Sequence, residues 1–394
     1  MTRPTVILGL QPAGLALARS LGRCGVHVTG IALERADFGL RSRYVQERAL
    51  VPSGNAATVD RTVLDALHRA AEDGPLVVVP ERDAHVELLL RHWDEVNVIA
   101  AIPLPSAPAA AAALRDKALL PETAARVGLA VPRTVPLDVA GAPGEFALPY
   151  PFLLKPFDSE RYAAVFSEKV VVVGDAEAAT AARKRGEEAG FRLFAQELVP
   201  NSTDRIQSLF TYIGSAGEPL GSVAGRKVRQ GPPGFGASTI FAAEHDEEVL
   251  DAGLRLLRSV DYRGFAHVEV VRDPRDGELK LLEVNTRLPV WAGLALSRFY
   301  DLGPVAYADL CGDEARALPP FTQRVTWTYL AKDAVTVARE AFRGRIDPRA
   351  VIRPYGQPRV PAVRAAGDYG PALALVRWAA GRAVTKLTAG RRPS

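Results

Sequence analysis

Gly264-Phe-Ala-His-Val-Glu269-Val-Val-Arg-Asp273, then Pro-Arg-Asp-Gly277-Glu278, then Leu279-Lys-Leu-Leu-Glu283-Val-Asn285-Thr-Arg287, is the stretch on which the reading of this chain turns. Both flanks are short, apolar and rich in β-branched residues, and Asp273 to Gly277 is a run of turn formers. The pattern predicts a β-hairpin with a loop of about five residues. With that loop centred on Asp276, Glu269 falls opposite Glu283. Side chains two apart on a strand share a face, so Asn285 joins Glu283. Two carboxylates and an amide oxygen then converge on one patch. Like charges facing each other weaken a hairpin, and a hard divalent cation such as Mg²⁺ or Mn²⁺ is the natural partner for oxygen ligands. A solvated face carrying unrelated acids is the plain alternative. If the two acids repel in the absence of metal, Glu283→Gln is expected to leave the apo stability unchanged or slightly raised.

Three further segments bear on the choice. Asp116-Lys117-Ala-Leu-Leu is followed by Val127-Gly-Leu-Ala-Val-Pro132-Arg-Thr134; Pro151-Phe-Leu-Leu-Lys155-Pro156 and Ala195-Gln196-Glu197-Leu198-Val199-Pro200 come next. Lys155 directly follows a buried-strand pattern, and a charge that close to a core needs a partner. The Glu…Glu-x-Asn-x-Arg pattern and these three segments, in this order from Leu114 to Leu310, resemble the ATP-grasp ligases. The resemblance is to the carboxylate–amine ligase branch, with its carbamoyl-phosphate-synthase-like and D-aspartate-ligase-like members.

The resemblance implies ATP and Mg²⁺ or Mn²⁺ as cofactors. Lys117 and Lys155 would bind phosphates, and Gln196, Glu197, Leu198 and Val199 would form the adenine hinge. Glu197 and Asp204 are both candidates for the ribose hydroxyls. Glu269, Glu283 and Asn285 would hold metal, with Glu283 bridging two ions. Arg287, Arg226 and Arg229 are the candidates for stabilising an acyl phosphate. The sequence departs from some relatives after Lys155: Phe157-Asp-Ser-Glu-Arg-Tyr-Ala-Ala has no glycine, which leaves Ser159 or Arg161 to replace a backbone phosphate cradle. The run Gly225 to Ser238, with Arg226, Lys227 and Arg229 near several glycines and prolines, reads as a mobile basic loop over anions.

The N-terminal part opens with Thr5-Val-Ile-Leu-Gly9, a helical run from Gly14 to Gly25 and a second strand from Val26, a βαβ start. Gln11 stands where a dinucleotide fingerprint needs its second glycine, which argues against an NAD site. Arg41 to Tyr44 and Pro80 to Asp83 lie near expected strand ends, where open α/β sheets bind ligands. They are candidates for substrate contact, and equally for plain surface charge.

The expected class is α/β and α+β. A Rossmann-like pre-ATP-grasp domain spans 1–105. An ATP-grasp small lobe with its linker helix spans 106–195, the large lobe with the metal site 196–325, and a C-terminal helical extension 326–394. The 394 residues are 48% hydrophobic, enough for several cores. A net charge of +4, with 8 Lys and 41 Arg, gives no broad nucleic-acid footprint. Two cysteines far apart, no signal peptide and no membrane span point to the cytoplasm.

The resemblance implies an ATP-dependent ligase joining a small carboxylate, such as an amino acid, to an amine through an acyl phosphate, releasing ADP and phosphate. Small-molecule substrates are its expected partners and a homodimer is left open. The alternatives are a ligase for a carrier- or protein-bound substrate and a non-catalytic ATP-binding regulator.

Overall fold

The computed structural model describes residues 3–33, 37–52, 54–105, 108–137, 146, 148–200, 205–345 and 347–389. Three sheets carry the architecture. The first comprises β1 (Thr5–Leu8), β2 (Val28–Ala32), β3 (Glu47–Leu50), β4 (Leu76–Pro80) and β5 (Ala100–Ala101), all parallel, in the order β3-β2-β1-β4-β5. The unbroken apolar runs of β1, β2 and β4 suit strands covered on both faces, and all three are buried throughout. The helix Pro12–Arg23 packs against this sheet and begins with a proline, whose missing N–H costs nothing in the first turn.

The second sheet is antiparallel, with β6 (Thr134–Pro136), β7 (Phe152–Pro156), β8 (Val171–Val173) and β9 (Leu193–Glu197) in the order β6-β9-β7-β8. The helix Ala176–Glu188 covers it, started by the Asp175 carboxylate accepting from Ala178 N. The segment after Lys155, expected as a loop, is instead the helix Ser159–Phe166, capped by Asp158.

The third sheet has seven strands: β10 (Ile206–Ile213), β11 (Pro219–Gly231), β12 (Ala237–Ala243), β13 (Gly264–Arg272), β14 (Leu279–Asn285), β15 (Thr326–Thr328) and β16 (Arg359–Pro361). Their order is β14-β13-β10-β11-β12-β15-β16. Strand alternation divides its side chains between two cores. Leu209, Val268, Val270 and Leu281 pack under the helix Glu247–Arg258. Phe210, Tyr212 and Phe241 share a core with Trp291 and with Leu15 and Leu17 of the helix Pro12–Arg23, so the first domain and the large sheet are joined by apolar contact. Trp291 stacks on Phe241 at 3.7 Å with the rings 6° from parallel.

The extension beyond residue 325 is more than helical: β15 pairs with β12 and continues the large sheet, and β16 pairs with β15. Asp368 ties the extension down. Its carboxylate receives Arg19 Nε at 2.8 Å, Ser42 Oγ at 2.7 Å and Arg43 N at 2.9 Å. The Arg41 to Tyr44 segment therefore serves this anchor.

Candidate active site

The hairpin forms as β13 and β14, with Glu269 opposite Glu283 and His267 opposite Asn285. The route to that register differs from the expected one. Next to the turn, Arg272 pairs with Leu279 and Val270 with Leu281, which by itself would place Glu269 against Leu282. The register shifts between Val270 and Glu269, leaving Leu282 as the extra residue of a β-bulge. A bulge re-aims side chains. Here Leu279 and Leu281 enter the core under the helix, while Glu283 and Asn285 turn into the cleft.

The cleft, of about 900 Å³, lies among all three sheets and the C-terminal extension. Its floor is a charge cluster. Lys227 Nζ reaches Glu269 Oε1 at 2.8 Å and Oε2 at 3.1 Å, both side chains being about one-tenth exposed. Although burial opposes its charge, Glu269 holds Lys227 above the usual lysine range. Burial and Glu283 together push the Glu269 carboxyl up. Burial also opposes ionisation of Glu283, but Lys227 and Lys155 outweigh it and hold that carboxyl well below the usual range. The expected repulsion between the acids is thus answered by two lysines. Asn285 Nδ2 donates to Glu283 Oε1 at 3.1 Å, and Arg287 donates to Asn285 Oδ1 at 3.2 Å. Burial and Lys227 lower the His267 pKa to about 3, so its ring is neutral.

Lys155 Nζ donates to Gln196 Oε1 at 2.9 Å, and burial lowers its pKa. Lys117 comes from the segment between the helices Pro108–Arg115 and Leu120–Ala125. Its ammonium donates to Pro156 O, Phe157 O and Ser159 Oγ at 2.7, 2.9 and 3.2 Å. Burial, with help from Lys155, lowers its pKa to about 8. Both lysines sit over the Phe194 ring. Of the two replacements considered for a glycine cradle, Ser159 lines the cleft, whereas Arg161 lies over Phe191.

Gln196 to Val199, expected to form the adenine hinge, all line the cleft. Gln196, however, lies in β9 with partners on both sides, so the stretch free of strand pairing starts at Leu198. The Glu197 carboxylate receives Arg133 N at 3.1 Å and pairs with Arg275 of the hairpin turn at 2.6 Å, which closes hinge and hairpin onto each other. Asp204 lies outside the described residues.

The basic run expected to be a loop is mostly strand, β11. Register shifts between Lys227 and Arg229 and between Arg229 and Gln230 put Lys227 and Gln230 on the cleft wall. Arg229 is turned instead to Asp333 at 2.5 Å, and Arg226 pairs with Glu244 at 3.1 Å; neither lines the cleft. Of the three arginines singled out, only Arg287 faces it. Asp83 holds Arg287 at 2.6 Å and lies 3.3 Å from Arg115. Lys227 was passed over as one cation of a loop; its place two residues after Gly225 on a strand would have marked it only if the bulge at Val228 had been foreseen.

At the first domain's edge, the Glu81 carboxylate accepts from the N–H groups of Gln11, Ala13 and Gly14 at 2.8 to 3.0 Å. These donors open the helix Pro12–Arg23, the position a pyrophosphate needs in a dinucleotide fold. A Cβ on Gly9 would come within 2.8 Å of the same carboxylate. The argument against NAD from Gln11 thus has a physical counterpart: a side chain already occupies the anion position.

Two carboxylates and an amide in register, with buried cations around them, form a donor set that fits a hard divalent cation as well as phosphate oxygens. Among the described residues no cluster of three or more His, Cys, Asp or Glu offers a different metal site. No helix among them is long and apolar enough to cross a membrane.

No family model matches the sequence. D-aspartate ligase of Enterococcus faecium (strain Aus0004) is 26% identical over 168 residues, covering 39% of this chain and 40% of that enzyme. The match thus spans less than half of the relative's length. N5-carboxyaminoimidazole ribonucleotide synthetase of Thermus thermophilus superposes with a TM-score of 0.59 at 20% identity, covering 82% of this chain and 81% of that one. L-amino acid ligase of Bacillus licheniformis gives 0.57 at 16% identity, with coverages of 78% and 74%. The fold is shared with these solved structures, and over 168 residues the sequence is similar to a D-aspartate ligase.

Proposed function

We propose that this protein is an ATP-dependent carboxylate–amine ligase that forms an amide or peptide-like bond and releases ADP and phosphate. The observation that carries the reading is the Glu269–Glu283 pair set in register in a cleft with Lys155 and Lys227. ATP lies with its adenine at Leu198 and Val199 and its phosphates toward Lys117, Lys155 and Lys227. A divalent cation held by Glu269, Glu283 and the Asn285 amide would neutralise charge between the β- and γ-phosphates.

In the first step an oxygen of the substrate carboxylate attacks the γ-phosphorus, and the bond to the ADP oxygen breaks. Arg287 holds the carboxylate and then the acyl phosphate. Asp83 keeps that guanidinium in place from the first domain. In the second step an amine attacks the acyl carbon and phosphate leaves with the bridging oxygen. No protein nucleophile is required; positioning and electrostatics supply the rate. The likeness to a D-aspartate ligase and to an L-amino acid ligase supports an amino acid as one of the two substrates.

Calorimetric titration with ATP, NAD and NADP, each with and without Mg²⁺, tests the reading. The expected result is ATP binding strengthened by Mg²⁺ and no binding of either dinucleotide; a preference for NAD would overturn it.

A further inference from the structure

Gln230 near the end of β11 and Ser238 at the start of β12 are direct cross-strand neighbours. Both line the cleft and are 6% and 1% exposed. Gln230 Nε2 donates to Gly234 O at 2.8 Å, which fixes the amide and leaves Gln230 Oε1 without a partner. Ser238 Oγ has none either.

Lys332, on the helix Leu330–Phe342 of the C-terminal extension, leans over the same strand end. Its Cε lies 3.7 Å from where a Gly231 Cβ would be, and it also lines the cleft. Among the described residues its ammonium makes no ion pair or hydrogen bond. Burial, with Lys169 of the small lobe adding to it, lowers its pKa. The helix is not loosely placed. Asp333, the next residue, takes Arg229 at 2.5 Å, Thr239 Oγ1 at 2.6 Å and Tyr355 OH at 2.8 Å. Arg229 thus fixes the helix that presents Lys332.

Buried polar groups are almost always satisfied, and a half-buried cation on a cleft wall is stabilised by an anion placed beside it. Here an ammonium, a hydroxyl and an amide oxygen lack partners on one wall. None of them bonds to Lys117, Lys155, Lys227 or the acid pair. The first two offer donors to an anion and the third offers an acceptor to an N–H. That combination matches a carboxylate beside an amine.

We propose that this end of the cleft is the subsite for the amino acid whose amine is ligated, with Lys332 and Ser238 gripping its non-reacting carboxylate and Gln230 Oε1 accepting an N–H from its amine. The assignment of that amine as the nucleophile rests on the ligase reading; the binding itself does not. Thermal-shift titration tests it on the full chain saturated with Mg²⁺ and a non-hydrolysable ATP analogue. The probes are the D- and L-amino acids and their carboxamides.

At least one amino acid is expected to raise the melting temperature while its carboxamide does not. Lys332→Met should weaken that amino acid by at least about tenfold, Lys332→Arg should retain most of the effect, and neither should change affinity for the analogue. Ser238→Ala should weaken it less. Equal shifts by acid and carboxamide, an unchanged response in Lys332→Met, no amino-acid shift in the wild type, or weaker analogue binding in Lys332→Met would each overturn the subsite. Failure of the wild type to bind the analogue would instead sink the ligase reading. The same titration run without nucleotide would then decide the subsite separately.

Discussion

Glu283 lies in a buried cluster with Glu269, Lys155 and Lys227, and the two lysines decide its charge. From sequence, facing acids repel, and Glu283→Gln should leave apo stability unchanged or raised. In the structure Lys227 and Lys155 hold Glu283 ionised, so its folded pKa lies below the unfolded one. Such a group stabilises the fold above the unfolded carboxylate pKa of about 4.3, and that contribution is lost as pH falls through the lower folded value. Glu283→Gln is therefore expected to lower the apo melting temperature at neutral pH, with the difference shrinking on acidification. ADP release should fall by about a hundredfold or more. Melting curves from pH 2 to 8 and a product assay check both; a stable variant with near-wild-type ADP release would mean that Glu283 has no part in the chemistry. The acid pair was legible because turn residues bracket it. Its lysine neighbour was not: Lys227 is about 40 positions away and reaches Glu269 only through the pairing of β10 with both β11 and β13.

At the scale of elements, the two bulges and the capped helix matter most. Alternation predicts which residues share a face only while the ladder is regular. In β14 the bulge at Leu282 delivered Glu283 to the expected position by an unexpected route. In β11 the irregularity around Val228 and Arg229 moved Arg229 off the cleft and brought Gln230 onto it. Nothing in either strand's composition signals the extra residue.

The helix Pro12–Arg23 supplies a further test. Burial, and then Asp37, raise the Glu81 pKa from 4.5 to about 7 against the pull of the helix N–H groups. A raised carboxyl contributes stability that is complete below its unfolded pKa and lost as pH rises through its folded value. The shift corresponds to at most about 3 kcal/mol. Wild-type stability should therefore fall between pH 5 and 8 relative to Glu81→Gln. Denaturant unfolding of the two proteins at each pH reads this directly; parallel pH profiles would contradict it.

For the whole molecule, the parallel first sheet and the hairpin of the large sheet were signalled by local patterns: apolar runs and the turn at Asp273 to Gly277. The C-terminal extension was expected to be helical. Its strands are three residues each, and their value lies in long-range pairing with β12, which leaves no mark in a window of sequence. The same extension brings Tyr329, Lys332 and Trp378 to the cleft wall, completing a site that the four motifs alone leave open.

The central claim is that the cleft moves the γ-phosphate to a carboxylate. It is tested most directly by incubating the protein and Mg·ATP with a pool of amino acids carrying oxygen-18 in their carboxyl groups, then analysing the products by mass spectrometry. ADP and inorganic phosphate bearing one oxygen-18 are predicted, in step with amide product. AMP with pyrophosphate, or phosphate free of oxygen-18, would contradict the account.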